Sequence, residues 1–310
     1  MFNPGLTSVS PLGSPEFGSS QSNKCPPDAE FVPGMVPHCD DIDALQTCLR
    51  GVRNRAWPAD RMEVIVADNN SMNRLDAVAE AARGFRVVPA SPQGACPAGN
   101  AGAAVVRGEI LSLIDGGCNP CSHWIENGAQ AREAHDFAGG HVETAARDPA
   151  RPTPVEAWEI EFGFNFARHI QAECCTGSGN KWVWRRVLRA VGGFCAGIAE
   201  EFDRSSSATR AAIRHLARPL WLDLLKRRRR VTAGHYALTR DKPAGLMRWL
   251  AWTAAMPLTM GRHLYRICCT KRLHNHNAEL ASACVLISPR FWRAGFMIRL
   301  VLTQPASIAP

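Results

Sequence analysis

Between residues 62 and 115 the chain alternates short, continuous apolar runs with segments whose apolar residues recur at helical spacing. Runs of the first kind are typical of strands that are buried on both faces of a parallel sheet. They occur at MEVIVADNNS (62–71), FRVVPA (85–90) and EILSLID (109–115). Helices are predicted between them, at 74–83 and 101–108. This order predicts an α/β fold in which helices cover a mostly parallel sheet.

The same patterning extends upstream of this region. EFVPGMVP (30–37) predicts a first strand, although Pro33 and Gly34 are poor strand residues. A helix is predicted over 40–57, with Asp40 or Asp41 as its N-cap. The Gly- and Pro-rich stretch 91–102 is predicted to be a loop that leads into the helix at 101–108.

Downstream, the segment 177–194 predicts a strand followed by a basic helix, which a glycine pair ends. The acidic stretch AEEFDR (199–204) comes next. The segment 211–238 is apolar at first and then predicts a helix that contains the basic run KRRRR (226–230).

Charge is distributed unevenly along the chain. Residues 204–310 contain 19 Lys and Arg against 3 Asp and Glu, which gives this part a net charge of +16. The whole chain carries +8, so residues 1–203 carry −8. An acidic part suits a metal-assisted site, whereas a basic part rich in Trp, Leu and Met suits an anionic membrane surface or a nucleic acid. The content of 46% hydrophobic and 21% charged residues excludes a disordered protein.

Several features bear on the cellular compartment. Residues 1–24 look like a vector-derived tag and lack a basic stretch followed by an apolar one, so we expect them to be disordered. The 12 cysteines show no regular framework, which favours reduced thiols in a cytoplasmic protein. Neither 249–260 nor 283–302 predicts a membrane span, because the first is short and contains Pro257 and the second contains three arginines.

The stretch LIDGGCNPCSHW (113–124) combines a strand end with a Cys-x-x-Cys-x-His spacing. Cys118, Cys121 and His123 suggest zinc, but a structural zinc site needs four ligands, and the cysteine pairs 174–175 and 268–269 lack ligand spacing. A redox pair and a zinc deaminase are disfavoured, because the residues that flank those motifs are absent.

Two aspartates offer a different chemistry. Asp68 and Asp115 both follow predicted strands, at the carboxyl ends where parallel sheets bind their ligands. We therefore predict that they line a ligand site. The simpler alternative is that both are polar residues at the entrance to loops.

Six pieces of sequence occur in an order typical of one enzyme family. They are VPHCDD, EVIVADNNS, GNAGAAVVRGEILSLIDGGC, NKWVWRRVLRAVGGF, AEEFD, and IRHLARP with RRRRVTAGHYAL. They extend over about 30–238, and together they resemble the inverting GT-A glycosyltransferases of family 2. The resemblance implies a GT-A (Rossmann-like) sheet over which a nucleotide-sugar donor binds, with a divalent metal on its diphosphate.

The resemblance also implies which residues bind the donor. Asp68 would contact the nucleotide base, and Pro37 and Asp40 would shape the same pocket. Asn100 and Asp115 would complete the donor site.

The metal and the catalytic base follow from the same resemblance. Asp115 and His215 would bind Mg²⁺ or Mn²⁺, which offsets the charge of a diphosphate leaving group. Glu200 and Glu201 match the family's acidic pair, with Glu201 as the base that deprotonates the acceptor hydroxyl. Outside this context the two glutamates would equally fit a solvated acidic turn.

Several positions depart from the family pattern. Gly117 replaces the second aspartate of Asp-x-Asp, Gly99 replaces an arginine, and Cys39 replaces an aromatic residue. Glu201 stands where aspartate is usual, and the segment 204–212 is shorter than usual. These departures motivate an alternative hypothesis, a catalytically degenerate member that binds a nucleotide-sugar or acts as a scaffold.

We expect three regions: a tag-like N-terminus (1–24), a GT-A domain (25–238) and a basic amphipathic helical extension (239–310). The expected partners are a nucleotide-sugar donor, an unknown hydroxyl acceptor that is lipid-linked or a polysaccharide, and the inner face of an anionic membrane. The basic run 226–230 is also explained by a solvated helix face, and the C-terminal tryptophans by a helical core. Nucleic acid is a weaker alternative because no recognition motif is present.

Overall fold

The computed structural model describes residues 31–55, 57–71, 75–132, 136–163, 175–176, 179–194, 203–204, 207–270, 272–273 and 276–303. The strands among them are β1 Val32–His38, β2 Met62–Asp68, β3 Arg86–Pro89, β4 Ile110–Ile114, β5 Cys118–Pro120, β6 Phe137–Ala145, β7 Cys175–Thr176, β8 Asn180–Trp184, β9 Asp203–Arg204 and β10 Ser207–Leu216. The helices are α1 Ile42–Arg53, α2 Leu75–Ala81, α3 Ala95–Val105, α4 Trp124–Arg132, α5 Pro154–Phe162, α6 Arg185–Ala190, α7 Trp221–Thr239, α8 Gly245–Leu258, α9 Met260–Cys268 and α10 His276–Thr303.

Eight strands form one sheet, in the order β3-β2-β1-β4-β8-β6-β10-β5. Its first four strands are parallel to one another, as the sequence predicted. Further along, β8 is antiparallel to both β4 and β6, β10 is parallel to β6, and β5 is antiparallel to β10. The predicted α/β architecture with a mostly parallel sheet and a helical C-terminal extension is therefore confirmed.

Helices cover both faces of the sheet, which explains why its strands are continuous apolar runs. On one face α1 and α4 bury Leu49 and Trp124 against the sheet. On the other face α3 and α6 form a second core, in which Leu188 packs with Met35 and Leu113. The carboxyl ends of the parallel strands remain at one edge between these two layers.

One predicted boundary is wrong. The helix predicted at 101–108 begins at Ala95, within the segment 91–102 that was predicted to be a loop. Pro97 lies in its first turn, where a helix does not need the amide donor that proline lacks. One strand was not predicted at all: Cys118 starts strand β5, which pairs with β10. That partner strand is almost a hundred residues away, so local patterning does not reveal it.

Helix α5 connects the sheet to the C-terminal helices through buried glutamates. Glu159 is fully buried and accepts hydrogen bonds from the backbone N–H and the guanidinium of Arg218, at 2.7 and 3.0 Å. Arg227 of α7 donates to the same carboxylate at 3.3 Å. Burial alone would raise the pKa of Glu159, but the two arginines outweigh it and hold that pKa below its usual value.

Glu161, two residues further along α5, makes a second link of this kind. Its carboxylate is bonded by the guanidinium of Arg266 and, at 2.5 Å, by the hydroxyl of Thr270. Both partners belong to α9 and the turn that follows it. Helix α10 packs along α5 as well, so the extension is held to the sheet domain by charge pairs and by an apolar interface.

The basic run 226–230 is divided between the inside and the outside of α7. Arg227 reaches Glu159, and the guanidinium of Arg228 lies 4.5 Å from the ring centroid of Trp158. Lys226, Arg229 and Arg230 are exposed. The interpretation of the run as a solvated helix face is therefore correct for three residues and wrong for two.

Within the part of the chain that the structure describes, no helix combines the length and the apolar character needed to cross a bilayer. The boundary between the GT-A domain and the extension, placed near residue 238, stays a prediction. In the structure α7 packs with α8 and α10 and also carries Arg227, which pairs with α5.

The Glu159 pairs are expected to be essential for stability. Replacing Glu159 with Gln should lower the free energy of unfolding by about 3 kcal/mol, because two guanidinium groups then face an uncharged amide in a dry site. Urea denaturation at pH 7 measures the loss. Glu80→Gln, which removes a glutamate from an exposed pair with Arg83, is the control and should change stability by less than about 1 kcal/mol.

The same pair predicts a pH dependence. Because the pKa of Glu159 is lowered on folding from 4.5, its stabilisation is complete above that pH and is lost as the pH falls through the folded value. The difference between the wild type and Glu159→Gln should therefore shrink below about pH 4.5. A difference that stays constant down to pH 3 would show that the carboxylate charge is not responsible.

Candidate functional site

The two aspartates singled out in the sequence lie at the same edge of the sheet. Asp68 ends β2, and the parallel pairing of β2 with β1 places it beside His38. Asp115 follows β4, which pairs with β1 on the other side and aligns Leu113 with Met35. Asp68 and Asp115 therefore flank the carboxyl end of β1 from its two neighbouring strands.

Asp68 is held by a hydrogen-bonded relay to the loop after β1. Its carboxylate is almost completely buried, with 3% of its surface exposed, and accepts a 2.5 Å hydrogen bond from the hydroxyl of Ser71. The Ser71 oxygen in turn accepts the backbone N–H of Asp40 at 3.0 Å. Asp40 and Asn70 both have positive φ angles, 57° and 60°, so both loops turn sharply at this point.

Asn69 binds the loop after β3 to the same edge of the sheet through its side-chain hydrogen bonds. Its amide donates to the carbonyl oxygens of Ala90 and Pro92, at 3.3 and 3.2 Å, and its side-chain oxygen accepts the N–H of Gly94. The backbone of Asn69 also donates to the carbonyl of His38 at 2.7 Å. The loops after β1, β2 and β3 are thereby fixed relative to one another.

Asp115 lies in a tight environment formed by glycines. A Cβ atom at Gly179 would be 2.6 Å from the Asp115 Oδ2 atom, so only glycine leaves room for this carboxylate. A Cβ atom at Gly116 would be 3.2 Å from the carbonyl oxygen of Pro37, which shows how closely the loop after β4 approaches the end of β1.

His215, on β10, lies beside the loop that follows β4. The register pairs it with Cys118, and its Nδ1 atom is 3.6 Å from the Cys118 sulfur. Its Cε1 atom is 3.8 Å from the position of a Cβ atom at Gly117. Burial, together with the charges of Arg218 and Arg227, lowers the pKa of His215 to about 3, so the imidazole is neutral at physiological pH.

The comparison with known sequences agrees with this arrangement. The sequence model of "Glycosyl transferase family 2" matches residues 35–192, just over half of the chain. The chain belongs to this family. The matched region contains β1, β2 and β4 with the rim residues Asp68 and Asp115, whereas His215 lies beyond it.

Two known proteins show how far the likeness extends. Glycosyltransferase AglE of Haloferax volcanii is 28% identical over 174 residues, which are 53% of this chain and 56% of AglE. The chain thus matches little more than half the length of that relative. Mannosyltransferase PcManGT of Pyrobaculum calidifontis, solved with GDP-Man and Mn²⁺, superimposes with a TM-score of 0.54 at 17% identity. That alignment covers 90% of this chain and 88% of PcManGT, and it confirms the GT-A fold.

The side chains near Asp115 suit a divalent metal that receives most of its ligands from a bound diphosphate and from water. Among the described residues no three His, Cys, Asp or Glu side chains are grouped so that they would hold a metal by themselves. Asp115 supplies a carboxylate two residues before Gly117, and the neutral imidazole of His215 lies beside Gly117. Mg²⁺ is commonly bound by one or two carboxylates, with phosphate oxygens and water completing its coordination, so this pair fits a metal brought in with a diphosphate.

Asn100 has a clear structural role. Its amide nitrogen donates to the carbonyl of Phe194 and its oxygen accepts the N–H of Phe194, both at 2.8 Å. Because both polar atoms are engaged, Asn100 fixes the segment after α6 against α3. A direct contact with the donor, which the family resemblance implied, stays a prediction.

Phe194 also explains the missing arginine at position 99. A Cβ atom at Gly99 would be 2.9 Å from the Phe194 ring, so a larger side chain there requires the ring to move. On its other side the Phe194 ring centroid lies 5.4 Å from the Nζ atom of Lys181, a fully buried lysine of β8. Lys181 pairs with Leu113, two residues before Asp115.

The predicted catalytic pair, Glu200 and Glu201, lies outside the described residues. The structure describes the chain up to Phe194 and again from Asp203, whose strand β9 pairs with β7. The assignment of Glu201 as the base, with Glu200 beside it, therefore stays a prediction.

The Cys-x-x-Cys-x-His spacing does not form a metal centre in the structure. Among the described residues these side chains are not grouped so that they would hold a metal, and burial raises the pKa values of Cys118 and Cys121. His123 is turned to Glu126, with Nδ1 2.8 Å from the carboxylate. Cys118 lies instead on His215, as described above.

Three important residues were missed by reasoning from sequence. Asn69 and Ser71 follow directly after Asp68, and their polar side chains at a strand end were the available signal. Glu159 carries no comparable signal, because its partners Arg218 and Arg227 are about sixty residues away.

The environment of His215 predicts a second pH effect. Between pH 6.5 and about 3 the unfolded chain binds a proton that folded His215 does not, so stability falls as the pH is lowered through this range. His215→Gln should remove up to about 1.4 kcal/mol per pH unit from this slope. Urea unfolding at pH 7, 6 and 5 measures it.

The exposed His276 supplies the matched control. His276→Gln makes the same substitution at an exposed histidine, so it shows the effect of losing a histidine side chain that is not buried. An identical pH dependence in the wild type and His215→Gln would mean that folding does not lower the pKa of His215.

Proposed function

We propose that this family 2 glycosyltransferase moves a sugar from a nucleotide-sugar donor to a hydroxyl acceptor, with inversion at the anomeric carbon and with a divalent metal. The observation that carries the proposal is the placement of Asp68 and Asp115 on the two strands that flank the carboxyl end of β1. Ligands of open α/β sheets bind beyond the strand ends at such a position.

The donor's nucleoside would lie over the Asp68 side of the rim. Ser71 and the backbone of Asp40 fix the Asp68 carboxylate, which is thereby oriented to accept hydrogen bonds from a base or ribose. Pro37, near the end of β1, and Asp40, in the loop that follows, would shape the same pocket. Asn100 supports this site indirectly by holding Phe194.

The diphosphate would lie on the Asp115 side. Asp115 and His215 are the residues that would hold Mg²⁺ or Mn²⁺, which supplies positive charge to the diphosphate leaving group. The neutral state of His215 leaves its imidazole available as a ligand. The two arginines that neutralise Glu159, Arg218 and Arg227, keep positive charge near this part of the rim.

The acceptor hydroxyl would be deprotonated by Glu201, with Glu200 beside it. A single displacement with one carboxylate base inverts the configuration at the reacting carbon, because the acceptor attacks from the side opposite the leaving diphosphate. Support for these two residues comes from the family resemblance alone. The acceptor is proposed to be lipid-linked or a polysaccharide.

The basic extension suggests where the enzyme works. Residues 204–310 carry a net charge of +16, which suits the anionic inner face of a membrane. We therefore propose peripheral attachment there, whereas nucleic-acid binding remains the weaker alternative.

A second candidate function is supported by Gly117. Without a carboxylate at this position the rim offers two metal ligands of its own, so a member that binds a nucleotide-sugar without turnover is the rival proposal. Binding and turnover must therefore be measured separately.

Substitutions in the rim distinguish these proposals. At a hundred times its Kd, a nucleoside diphosphate or nucleotide-sugar with Mn²⁺ should raise the melting temperature by about 5 °C or more. GDP, UDP, GDP-mannose and UDP-GlcNAc are suitable probes. Asp68→Asn should weaken this shift with or without metal, whereas Asp115→Asn should abolish only its Mn²⁺-dependent part. The exposed Asp60→Asn is the control and should behave as wild type.

Turnover provides the other half of the test. Glu201→Gln should keep the donor-induced shift but reduce donor hydrolysis or transfer by about 10²- to 10⁴-fold, the usual contribution of a general base. Donor binding without any turnover by the wild type would support the rival proposal. Absence of binding by every nucleotide tested would contradict both.

The space at Gly117 allows a gain-of-function test. A Cβ atom there meets nothing closer than 3.8 Å, so the backbone has room to carry a side chain at this position. Gly117→Asp should lower the Mn²⁺ concentration needed for half-maximal donor binding by about tenfold, because a third ligand joins Asp115 and His215. Gly234→Asp, which adds the same charge on α7 in open space, should have no effect. An unchanged Mn²⁺ requirement in Gly117→Asp would place the metal elsewhere.

A further inference from the structure

A basic cavity of about 580 Å³ lies between the end of α5 and helix α9, away from the rim residues. It is lined by one carboxylate, Glu161, and otherwise by side chains with hydrogen-bond donors or positive charge: Arg262, His263, Tyr265, Arg266, Cys269, Thr270 and Arg272. Nothing in the proposed transfer reaction uses this cavity.

The charges of the cavity are not balanced. Arg266 is paired with Glu161, whose other oxygen accepts the hydroxyl of Thr270. Arg262 and Arg272 are exposed, and neither has a carboxylate partner among the described residues. Three guanidinium groups therefore surround one carboxylate, which leaves a local excess of two positive charges.

His263 adds no further charge to this excess. Its Nδ1 atom lies 2.6 Å from the carbonyl oxygen of Thr259, and its ring packs 5.5 Å from that of Phe162. Burial and the neighbouring arginines lower its pKa, although the Thr259 carbonyl opposes them. The cavity thus offers planar, permanently charged guanidinium donors, the groups that bind phosphate oxygens in pairs.

The surface around the cavity is unusually apolar. Of the sixteen large apolar side chains that are exposed in the described part of the chain, fourteen lie between Leu220 and Leu302. Tyr265 of the cavity wall is 72% exposed, and Leu258, just before α9, is 83% exposed. Tyr265 and Leu258 thus add exposed apolar surface next to the arginine side chains of the cavity.

Two neighbouring helices extend this apolar surface. On α8 the outward face carries Met247, Leu250 and Leu258 at helical spacing, opposite the buried Trp249. On α10 the outward stripe consists of Leu280, Ile287, Phe291, Ile298 and Leu302. The two helices are joined by the Trp249 Nε1–H bond to the Met297 carbonyl and by Arg290, which donates to Thr259.

The positive charge of this surface determines what kind of partner can bind to it. A second copy of the chain would bring the same positive charge to this surface, and the two would repel each other. An anionic bilayer offers apolar contact and negative charge together, which is the combination that interfacial helices use.

We propose that the exposed face of α8, α9 and α10 binds an anionic phospholipid, with the lipid phosphate in the cavity formed by Arg262, Arg266 and Arg272. Leu258 and Tyr265 enter the apolar layer at its side. The inference rests on the proposed attachment to a membrane but not on the transfer chemistry. It also goes beyond that attachment, because it assigns the membrane contact to one surface, the exposed face of α8, α9 and α10, and not to the basic run 226–230.

Vesicle flotation tests the proposal with the full chain. The wild type should float with vesicles of phosphatidylglycerol and phosphatidylcholine, and not with phosphatidylcholine alone. Arg262→Gln combined with Arg272→Gln should weaken binding about 25-fold, which is about fivefold for each charge near an anionic surface. Leu258→Glu should weaken it as well.

Matched controls are available on the sheet domain. Arg83→Gln removes an equally exposed arginine, and Val191→Glu places the same charge on a similarly exposed apolar residue. Both should bind vesicles as the wild type does. Because all the substituted residues are exposed, circular dichroism and melting temperatures should stay unchanged, and donor-induced thermal shifts report on the rim separately.

Several results would overturn the proposal. One is the absence of binding to phosphatidylglycerol vesicles, and another is equal binding by wild type and the double arginine variant. A thermal shift with inorganic phosphate or glycerol phosphate that the double variant loses, without vesicle binding, would identify a soluble phosphate compound as the ligand. A dimer in light scattering that Leu258→Glu dissociates would assign the apolar face to a second copy.

Discussion

The arrangement of the sheet and the C-terminal helices depends on the ion pairs that the buried carboxylate of Glu159 makes. An isolated charge in a dry interior is too costly to persist, so Arg218 and Arg227 must both come to it. Arg218 follows β10 directly, and Arg227 lies on α7. The pairing therefore fixes the end of strand β10 and helix α7 relative to helix α5.

The same charges determine the state of His215. Two guanidinium groups and burial keep its imidazole neutral, and the pairing of β10 with β5 brings the ring to the loop that contains Asp115 and Gly117. The arginines that pair with Glu159 thus also keep the imidazole of His215 neutral beside this loop. The carboxylate of Asp68 is held in place in a different way, by the hydroxyl of Ser71, which in turn accepts the backbone N–H of Asp40 in the loop after β1.

Positive charge serves two different purposes in the C-terminal part. Arg227 and Arg228 turn inward, onto Glu159 and Trp158, and contribute to packing. Arg262 and Arg272 stay at the surface beside exposed apolar side chains. A count of basic residues along the chain does not separate these roles, because it does not show which side chains turn inward and which stay at the surface.

The sequence by itself determined the first half of the sheet and the two rim aspartates. Continuous apolar runs reveal doubly covered parallel strands, and their ends are local features that a reader of the chain can locate. The tertiary structure alone decided the antiparallel β8, the short β5, the partners of Glu159 and the position of His215. Each of these depends on residues sixty to a hundred positions apart, and local periodicity carries no information about such pairs. Asn100 shows the same limit, because only the fold reveals that its amide is engaged by the backbone of Phe194.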